Sequence, residues 1–262
     1  MEIPFTKAHG AKNDFLLTWR KDARIKDCPA FARAICDRYT GVGADGWMLV
    51  DHDPDAIELY NSDGSKPEIS GNGTRCAAAF LLRQKPATNL KIKTGAGLKH
   101  LTLLRQNGPE YWFEMNMGKP NFIAGRFPLE LFGGLRDVTL VDVGNPQCAV
   151  PVDDFDFDWR AMGREIEKHP HFPNRTNVSF IRPVDLHTVD VRFYERGAGE
   201  TMSSGTGSTG AVATAIMRGI AESPVRVLTP AGPLDLRWDD SIFLTGPAVL
   251  TADGVFHYES NK

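Results

Sequence analysis

The sequence predicts an α/β protein of the α+β type, built from two pseudo-symmetric halves with a ligand cleft between them. Three observations support this fold class. Segments of the chain repeat at a constant separation of 134 residues, each copy reads as strand, loop and helix, and 262 residues suit two domains of about 130 residues each. We place the halves at residues 1–125 and 126–262, the second ending in a short tail.

The repeat is clearest in two loops rich in glycine and serine. Ser-Gly-Asn-Gly at 70–73 corresponds to Ser-Gly-Thr-Gly at 204–207, and the same separation pairs Tyr60 with Tyr194 in the preceding strands. The alternative is that common residues recur by chance, but the strands and the loops repeat at the same separation of 134 residues. This agreement indicates a duplication.

The predicted elements follow one another in the same order in both halves: an alternating strand, the loop, a helix of small residues, and a strand pair with a glycine turn. In the first half these occupy 56–60, 70–73, 74–83 and 91–104, and in the second 189–194, 204–207, 208–218 and 225–238.

Each loop predicts an anion-binding site. The first backbone N–H groups of a helix have no internal partner and carry the positive end of its dipole, and glycines let a phosphate or carboxylate approach them. A tight turn with a serine N-cap is the alternative for either loop alone. The spacing matches neither a dinucleotide-binding fingerprint nor a P-loop.

Polar residues are predicted to cluster at strand ends, where open α/β sheets bind their ligands. A turn role is the alternative for any single asparagine. Adjacent Glu195 and Arg196 suit a zwitterion, since a carboxylate binds an ammonium group and a guanidinium binds a carboxylate. The candidates found in this way are Asn13, Asn145, Asn177, Glu195 and Arg196.

Composition excludes several classes of protein. The net charge is −3 and the basic residues are scattered, so we expect no nucleic-acid partner. There is no apolar run long enough for a membrane span and no signal-like start, so we expect no membrane partner and a cytoplasmic location. Four dispersed cysteines form neither a metal motif nor a disulfide framework, which fits a reducing compartment.

The motifs, taken together, resemble the diaminopimelate epimerase family, in family order and over most of the chain. The resemblance implies that each half wraps a sheet around a central helix. It also implies a cofactor-independent epimerase, often a homodimer, that converts LL- to meso-diaminopimelate in lysine and peptidoglycan precursor synthesis. The matching segments are 8–15 (AHGAKNDF), 41–46 (GVGADG), 61–65 (NSDGS), 71–76 (GNGTRC), 144–146 (GNP) and 195–201 (ERGAGET).

The resemblance also implies roles for particular residues. In the family, one cysteine thiolate removes the α-proton of the substrate and a second thiol protonates the opposite face. By position, the residues that bind the amino acid would be Asn13, Asn61, Asn145, Asn177, Glu195 and Arg196, and those presenting backbone N–H groups to its α-carboxylate would be Gly71, Asn72, Gly205 and Thr206.

Both catalytic cysteines are replaced in this chain: Ser70 and Ser204 occupy their positions. Gln147 also stands where the family commonly has histidine. Cys76 and Cys148 match neither catalytic position, so we expect them to be packed sulfurs.

A serine hydroxyl is far less acidic than a cysteine thiol, whose pKa is about 8.5, and an active serine needs a neighbouring base. Glu68 shares a face with Ser70 if the segment is extended, so we prefer it to Glu200, which follows Ser204 by four residues. A solvated acid on a loop is the alternative for Glu68.

Three hypotheses follow. The first is a diaminopimelate epimerase with serines at the two acid/base positions, either natural or a deliberate replacement of cysteine. The second is another isomerase or lyase on the same fold that uses a carboxylate base such as Glu68. The third is a non-catalytic homologue that binds an amino acid. We favour the first because the ligand-binding motifs are nearly complete.

Overall fold

The computed structural model of the chain describes residues 1–259; residues 260–262, the end of the predicted tail, lie outside the described residues. The chain divides into two compact units, one of Met1–Met115 with the residues from Gly246 onward, the other of Asn116–Thr245. This division differs from the predicted boundary at 125/126 and from the assignment of the last strand to the second half. The reason is that the last strand pairs antiparallel with the first, from Glu2 with His257 to His9 with Val249.

The elements of the first unit alternate sheet and helix. They are β1 (Glu2–Gly10), β2 (Asn13–Trp19), a 3-10 helix (Arg20–Asp22), α1 (Cys28–Cys36), β3 (Gly46–Asp51), β4 (Ala56–Asn61), α2 (Gly71–Gln84), β5 (Asn89–Thr94), β6 (Gly97–Asn107) and β7 (Glu110–Gly118).

The second unit follows the same plan. Its elements are β8 (Asn121–Leu131), β9 (Gly134–Asp142), β10 (Pro146–Pro151), α3 (Trp159–Glu167), β11 (Asn177–Asp185), β12 (Thr188–Glu195), β13 (Gly199–Thr201), α4 (Gly205–Met217), β14 (Val225–Leu228), β15 (Leu234–Trp238) and β16 (Ile242–His257). The boundaries between the units fall within β7 and β16.

Strand directions repeat between the units. In the first, β1–β2, β3–β4 and β5–β6 are antiparallel pairs, joined by the parallel pairs β2–β3 and β4–β5. In the second, β9–β10, β11–β12 and β14–β15 are antiparallel, joined by the parallel pairs β10–β11 and β12–β14. The shared sequence of directions confirms the predicted pseudo-symmetric halves.

Each unit encloses one helix of small residues. Every residue of α2 from Gly71 to Leu82 is buried, as is every residue of α4 from Gly205 to Ala215. A helix buried on all sides needs small side chains where strands approach closely. A Cβ on Gly73 would lie 2.3 Å from Met48 Cε, and one on Gly207 would lie 2.7 Å from Phe193 Cδ1. The expectation of a sheet wrapped around a central helix is therefore confirmed.

The other two helices cover the outside of their sheets with one apolar face. Phe31 of α1 packs edge-on against Trp47 of β3, with ring centroids 4.6 Å apart. Trp159 of α3 packs against Phe180 of β11, with centroids 6.0 Å apart. Among residues 1–259, no helix combines the length and apolar character needed to cross a membrane.

Candidate active site

Ser70 and Ser204 are the N-cap residues of α2 and α4. Each hydroxyl oxygen accepts a hydrogen bond from the backbone N–H three residues on, at 3.1 Å from Gly73 and 3.0 Å from Gly207. Both serines therefore lie at the positive end of a helix dipole. They differ in exposure, because Ser70 is half-buried whereas Ser204 is only 2% exposed.

The hydroxyl of Ser204 donates a short hydrogen bond to the carboxylate of Glu195. Glu195 ends β12, and the hairpin to β13 returns the chain to the start of α4. Sequence reasoning missed this pair: it took Glu195 as an ammonium ligand and considered Glu200 beside Ser204. Glu200 instead forms a two-pronged ion pair with Arg160, at 2.6 and 2.8 Å. Ser204 thus has the adjacent base that an active hydroxyl requires.

Ser70 has a different environment. Glu68 and Ser70 are half-buried on either side of Ile69, which is 4% exposed, as an extended segment predicts. Both line a pocket of about 300 Å³ within the first unit, together with Arg20 and Lys66. Within the described part of the chain, the Ser70 hydroxyl makes no hydrogen bond to a carboxylate. The two serines are therefore not chemically equivalent.

The predicted binding residues of the second unit contact one another. Asn145 Nδ2 donates to Thr206 Oγ1 at 3.3 Å, which connects the start of β10 to the first turn of α4. Asn177 Nδ2 donates to the Pro146 carbonyl at 2.9 Å, and its Oδ1 accepts from the Arg196 N–H at 3.1 Å. The predicted residues gathered here are Asn145, Asn177, Glu195, Arg196, Ser204, Gly205 and Thr206.

An ion pair between a buried glutamate and an exposed arginine holds the hairpin between β12 and β13. Glu167, 1% exposed at the end of α3, pairs with Arg175 and accepts from the Gly197 N–H at 3.4 Å. Arg175 adopts a left-handed backbone with φ of 61°. Sequence reasoning missed this pair, since its two members lie in a helix end and a loop without any recognisable motif.

In the first unit the structure gathers four of the five predicted residues. Asn72 Nδ2 donates to Asn13 Oδ1 at 3.3 Å at the start of α2, where Ser70 and Gly71 also lie. Asn61 is engaged elsewhere: its Nδ2 donates to Ser65 Oγ at 3.0 Å and its N–H to the Ser65 carbonyl at 2.8 Å. Asn61 therefore closes the turn after β4.

Three further residues support these asparagines. Arg75 donates to Asn72 Oδ1 at 2.6 Å, and Asp45 accepts from Asn13 Nδ2 at 2.7 Å. Gln147 donates to an oxygen of Asn145 at 2.7 Å, while its own Oε1 is buried without a partner among residues 1–259. The three-residue spacing of Asn72 and Arg75 on one helix was a usable signal. The contact of Asn13 with Asp45 depends instead on how two distant segments of the sequence align.

The cysteines are packed as expected. Cys76 and Cys148 are completely buried, and all four thiols are free. Burial raises the pKa of Cys76 to about 12 and raises the pKa of Cys148 as well. Such thiols stay protonated near neutral pH, so neither replaces a catalytic thiolate.

Comparison with known proteins identifies relatives over almost the whole chain. The model of a family described as diaminopimelate epimerase matches residues 5–123 and 139–251. The chain is similar to the diaminopimelate epimerase of Pelotomaculum thermopropionicum, at 35% identity over 98% of this chain and 99% of the relative. It is also similar to diaminopimelate epimerase 1 of a Nostoc species, at 37% identity over 95% and 97%. A solved hydroxyproline epimerase from Agrobacterium vitis shares the fold, with a TM-score of 0.73 at 15% identity over 97% of this chain and 92% of that one.

Proposed function

Because the chain belongs to the diaminopimelate epimerase family, a family of isomerases, we propose that it interconverts LL- and meso-diaminopimelate without a cofactor, with Ser70 and Ser204 at the two acid/base positions. The observation that carries the proposal is the hydrogen bond from the buried Ser204 hydroxyl to the Glu195 carboxylate. It supplies a base beside a hydroxyl that would otherwise be too weakly acidic for the chemistry.

The proposed reaction removes a proton from one face of the α-carbon and then adds a proton to the opposite face. Ser204 Oγ takes the α-proton of the substrate while its own proton passes to Glu195. The electron pair left on the α-carbon delocalises into the substrate carboxylate, and the N–H groups of the first helical turns stabilise this charge. Ser70 then gives its hydroxyl proton to the opposite face of the carbon. Exchange with water restores the proton of Ser70 and removes the one held by Glu195.

The other predicted residues would hold the substrate. We assign its carboxylate groups to the N–H groups of Gly71, Asn72, Gly205 and Thr206 and to Arg196, and its remaining polar groups to the asparagines of both units. Asn145 is held by Thr206, and Asn177 by the Pro146 carbonyl and the backbone N–H of Arg196. These contacts support the assignment because they fix both asparagine side chains before any ligand binds.

A second candidate function follows from the pocket that Glu68 and Ser70 share. Here the protein is a different isomerase or lyase with Glu68 as its base. Point variants distinguish the two candidates. Only if Glu68 is the base would Glu68→Gln abolish the activity while Ser70→Ala leaves it intact.

The test is proton NMR of LL- and meso-diaminopimelate in deuterated water, with the unmodified protein and with the double variant Ser70→Cys/Ser204→Cys. We expect the α-proton signal to disappear with both proteins, and at least about 100-fold faster with the double variant, because a thiol is a far better acid and base near neutral pH.

Each outcome has a distinct meaning. Exchange by the double variant alone would identify an epimerase scaffold disabled at its two bases. If neither protein exchanges the α-proton although both bind diaminopimelate, the chain is a non-catalytic binding homologue. If neither binds it, the substrate assignment is wrong.

The proposal extends to cellular context. Diaminopimelate is a precursor of lysine and peptidoglycan, so the protein would act in the cytoplasm, where its four free thiols would stay reduced. We also propose that the protein is a homodimer. Sedimentation equilibrium would measure the mass of the assembly.

A further inference from the structure

Arg75 is a buried cation in the first turns of α2. It is 0% exposed, and the oxygens that accept its hydrogen bonds among the described residues are all neutral. Its guanidinium instead donates to Asn72 Oδ1 at 2.6 Å, to the Pro247 carbonyl at 3.2 Å and to the Gly71 carbonyl at 3.4 Å. Burial lowers the pKa of Arg75 to about 10, so it remains charged near neutral pH.

Arg75 begins a hydrogen-bonded chain that ends at a carboxylate. Asn72 Nδ2 donates to Asn13 Oδ1 at 3.3 Å, and Asn13 Nδ2 donates to Asp45 Oδ2 at 2.7 Å. Asp45 is held in turn, since its Oδ1 accepts from Arg38 at 2.9 Å. The chain therefore connects α2, β2 and the residue that precedes β3.

The two ends of this chain fix its direction. A guanidinium can only donate hydrogen bonds, and a carboxylate can only accept them. Each asparagine between them must therefore place its oxygen toward Arg75 and its nitrogen toward Asp45. If the amide of Asn13 were turned over, two oxygens would face each other at Asp45 and two nitrogens at Asn72.

The related network of the second unit has no such constraint. Gln147 and Thr206 lie at the two ends of the contacts through Asn145. An amide and a hydroxyl can each donate or accept, so this network can run in either direction. The repeat has Thr209 at the position that corresponds to Arg75. A donor-only group therefore orients the amides of Asn72 and Asn13 but not, through this network, the amide of Asn145.

We propose that Arg75 and Asp45 are positioning residues that together fix the amide of Asn13, so that its remaining N–H is offered to a carboxylate oxygen of the substrate. This inference rests on the proposed function for the identity of the ligand. The orientation itself depends only on the contacts within the first unit. A turned amide would offer an oxygen to the anionic group and repel it.

The experiment compares Arg75→Met, which removes the donors, with Arg75→Lys, which keeps a buried cationic donor. The first measurement needs no ligand: hydrogen exchange of the Asn13 side-chain amide by NMR on protein labelled with ¹⁵N-asparagine, the signal being assigned by its loss in Asn13→Asp. The second is the dissociation constant for meso-diaminopimelate by calorimetry. Arg83→Met is the matched control. Arg83 lies on the same helix, but it pairs with Asp253 at 2.9 Å, outside the hydrogen-bonded chain that runs from Arg75 to Asp45.

We expect Arg75→Met to accelerate exchange of the Asn13 amide and to weaken diaminopimelate binding, each by about tenfold or more, as loss of a hydrogen bond to a charged group implies. Arg75→Lys should recover most of both effects, and Arg83→Met should change neither. If Arg75→Met does not fold, Asp45→Asn tests the other end of the chain with the same expectations.

The proposal is overturned if a folded variant at either end leaves the exchange rate unchanged, or if exchange accelerates while affinity stays the same. If the unmodified protein binds no diaminopimelate, the proposed function fails. The amide measurement then still decides whether Arg75 and Asp45 fix Asn13.

Discussion

At the scale of single residues, the two serines differ in the partner of their hydroxyl groups. Ser204 is buried against the carboxylate of Glu195, whereas Ser70 caps its helix and shares a pocket with Glu68. Both oxygens accept a backbone N–H at a helix N-terminus. The difference is that the hydroxyl of Ser204 directly contacts a group that can accept its proton, the Glu195 carboxylate.

Glu195→Gln tests this role. A glutamine can still hydrogen-bond to Ser204 but cannot take its proton, so we expect kcat to fall by about 100-fold or more, within the usual range for loss of a general base. KM should change by less than about threefold. The measurement is steady-state kinetics on whichever protein exchanges the α-proton, the unmodified chain or its double-cysteine variant.

Glu200→Gln is the control. It also removes a carboxylate from this hairpin, but that carboxylate pairs with Arg160. A rise in KM at constant kcat in Glu195→Gln would contradict the base assignment. It would instead support the ammonium-binding role that the sequence suggested.

How far the sequence predicts the site depends on the kind of contact. The two N-cap serines follow from the repeated loop, because capping is local. The contact of Ser204 with Glu195 could not be predicted, since it depends on the geometry of a hairpin. The contact of Asn13 with Asp45 joins residues near the ends of neighbouring parallel strands, whose register is set by packing.

At the scale of elements, the fold was more predictable than the site. Both central helices begin one residue after the serines that the 134-residue repeat aligns. The third residue of each helix, Gly73 or Gly207, leaves no room for a side chain, because a Cβ there would lie within 3 Å of Met48 or Phe193. Periodicity and small-residue composition report on such packing directly, whereas they contain no information on which strand closes a sheet.

Several elements meet at Glu58 on β4. Its carboxylate accepts from Tyr60 and Lys66 at 2.6 Å and from Arg20, in the 3-10 helix, at 2.9 Å. Burial alone would raise the pKa of Glu58, but the hydrogen bonds from Lys66, Tyr60 and Arg20 lower it from 4.5 to about 2. The ionised carboxylate is therefore favoured in the folded protein.

This shift predicts a pH-dependent effect of Glu58→Gln. A carboxyl group whose pKa is lower in the folded than in the unfolded state stabilises the folded protein at pH values above the unfolded-state pKa. That stabilisation is lost as the pH falls toward 2, the folded-state pKa of Glu58. We expect the variant to be less stable than the unmodified protein at pH 7, and the difference to shrink between about pH 4.5 and pH 2. Urea unfolding at a series of pH values measures it.

The control for this series is Glu130→Gln on β8, an exposed position. It should change the free energy of unfolding by less than about 0.5 kcal/mol at each pH. A difference between Glu58→Gln and the unmodified protein that stays constant down to pH 2 would show that ionisation of Glu58 is not the cause.

At the scale of the whole molecule, the two units differ in continuity. The second is a single stretch, Asn116–Thr245, while the first takes residues from both sides of it. The strand from Gly246 onward supplies the first unit with the partner of β1, an acceptor for Arg75 at Pro247, and Asp253 for Arg83. The first unit is thus incomplete without it.

Truncation after Thr245 should therefore destabilise one unit selectively. We expect hydrogen–deuterium exchange in β1, β2 and α2 to accelerate by about tenfold or more as local stability falls, with protection in β9–β12 and α4 unchanged from the full chain. Mass spectrometry of peptides from each unit measures this. Equal loss of protection in both units would contradict the division.

The late position of β16 also has a consequence for synthesis. On the ribosome, residues 1–115 must wait for the whole second unit to be made before their last strand emerges, on the order of ten seconds at common elongation rates. During that interval β1 has β2 on one side and an unpaired edge on the other, a site where nascent chains can associate wrongly. The first half to be translated is thus the last to finish folding, and a messenger cut short near its 3′ end would yield a chain whose first unit lacks its closing strand.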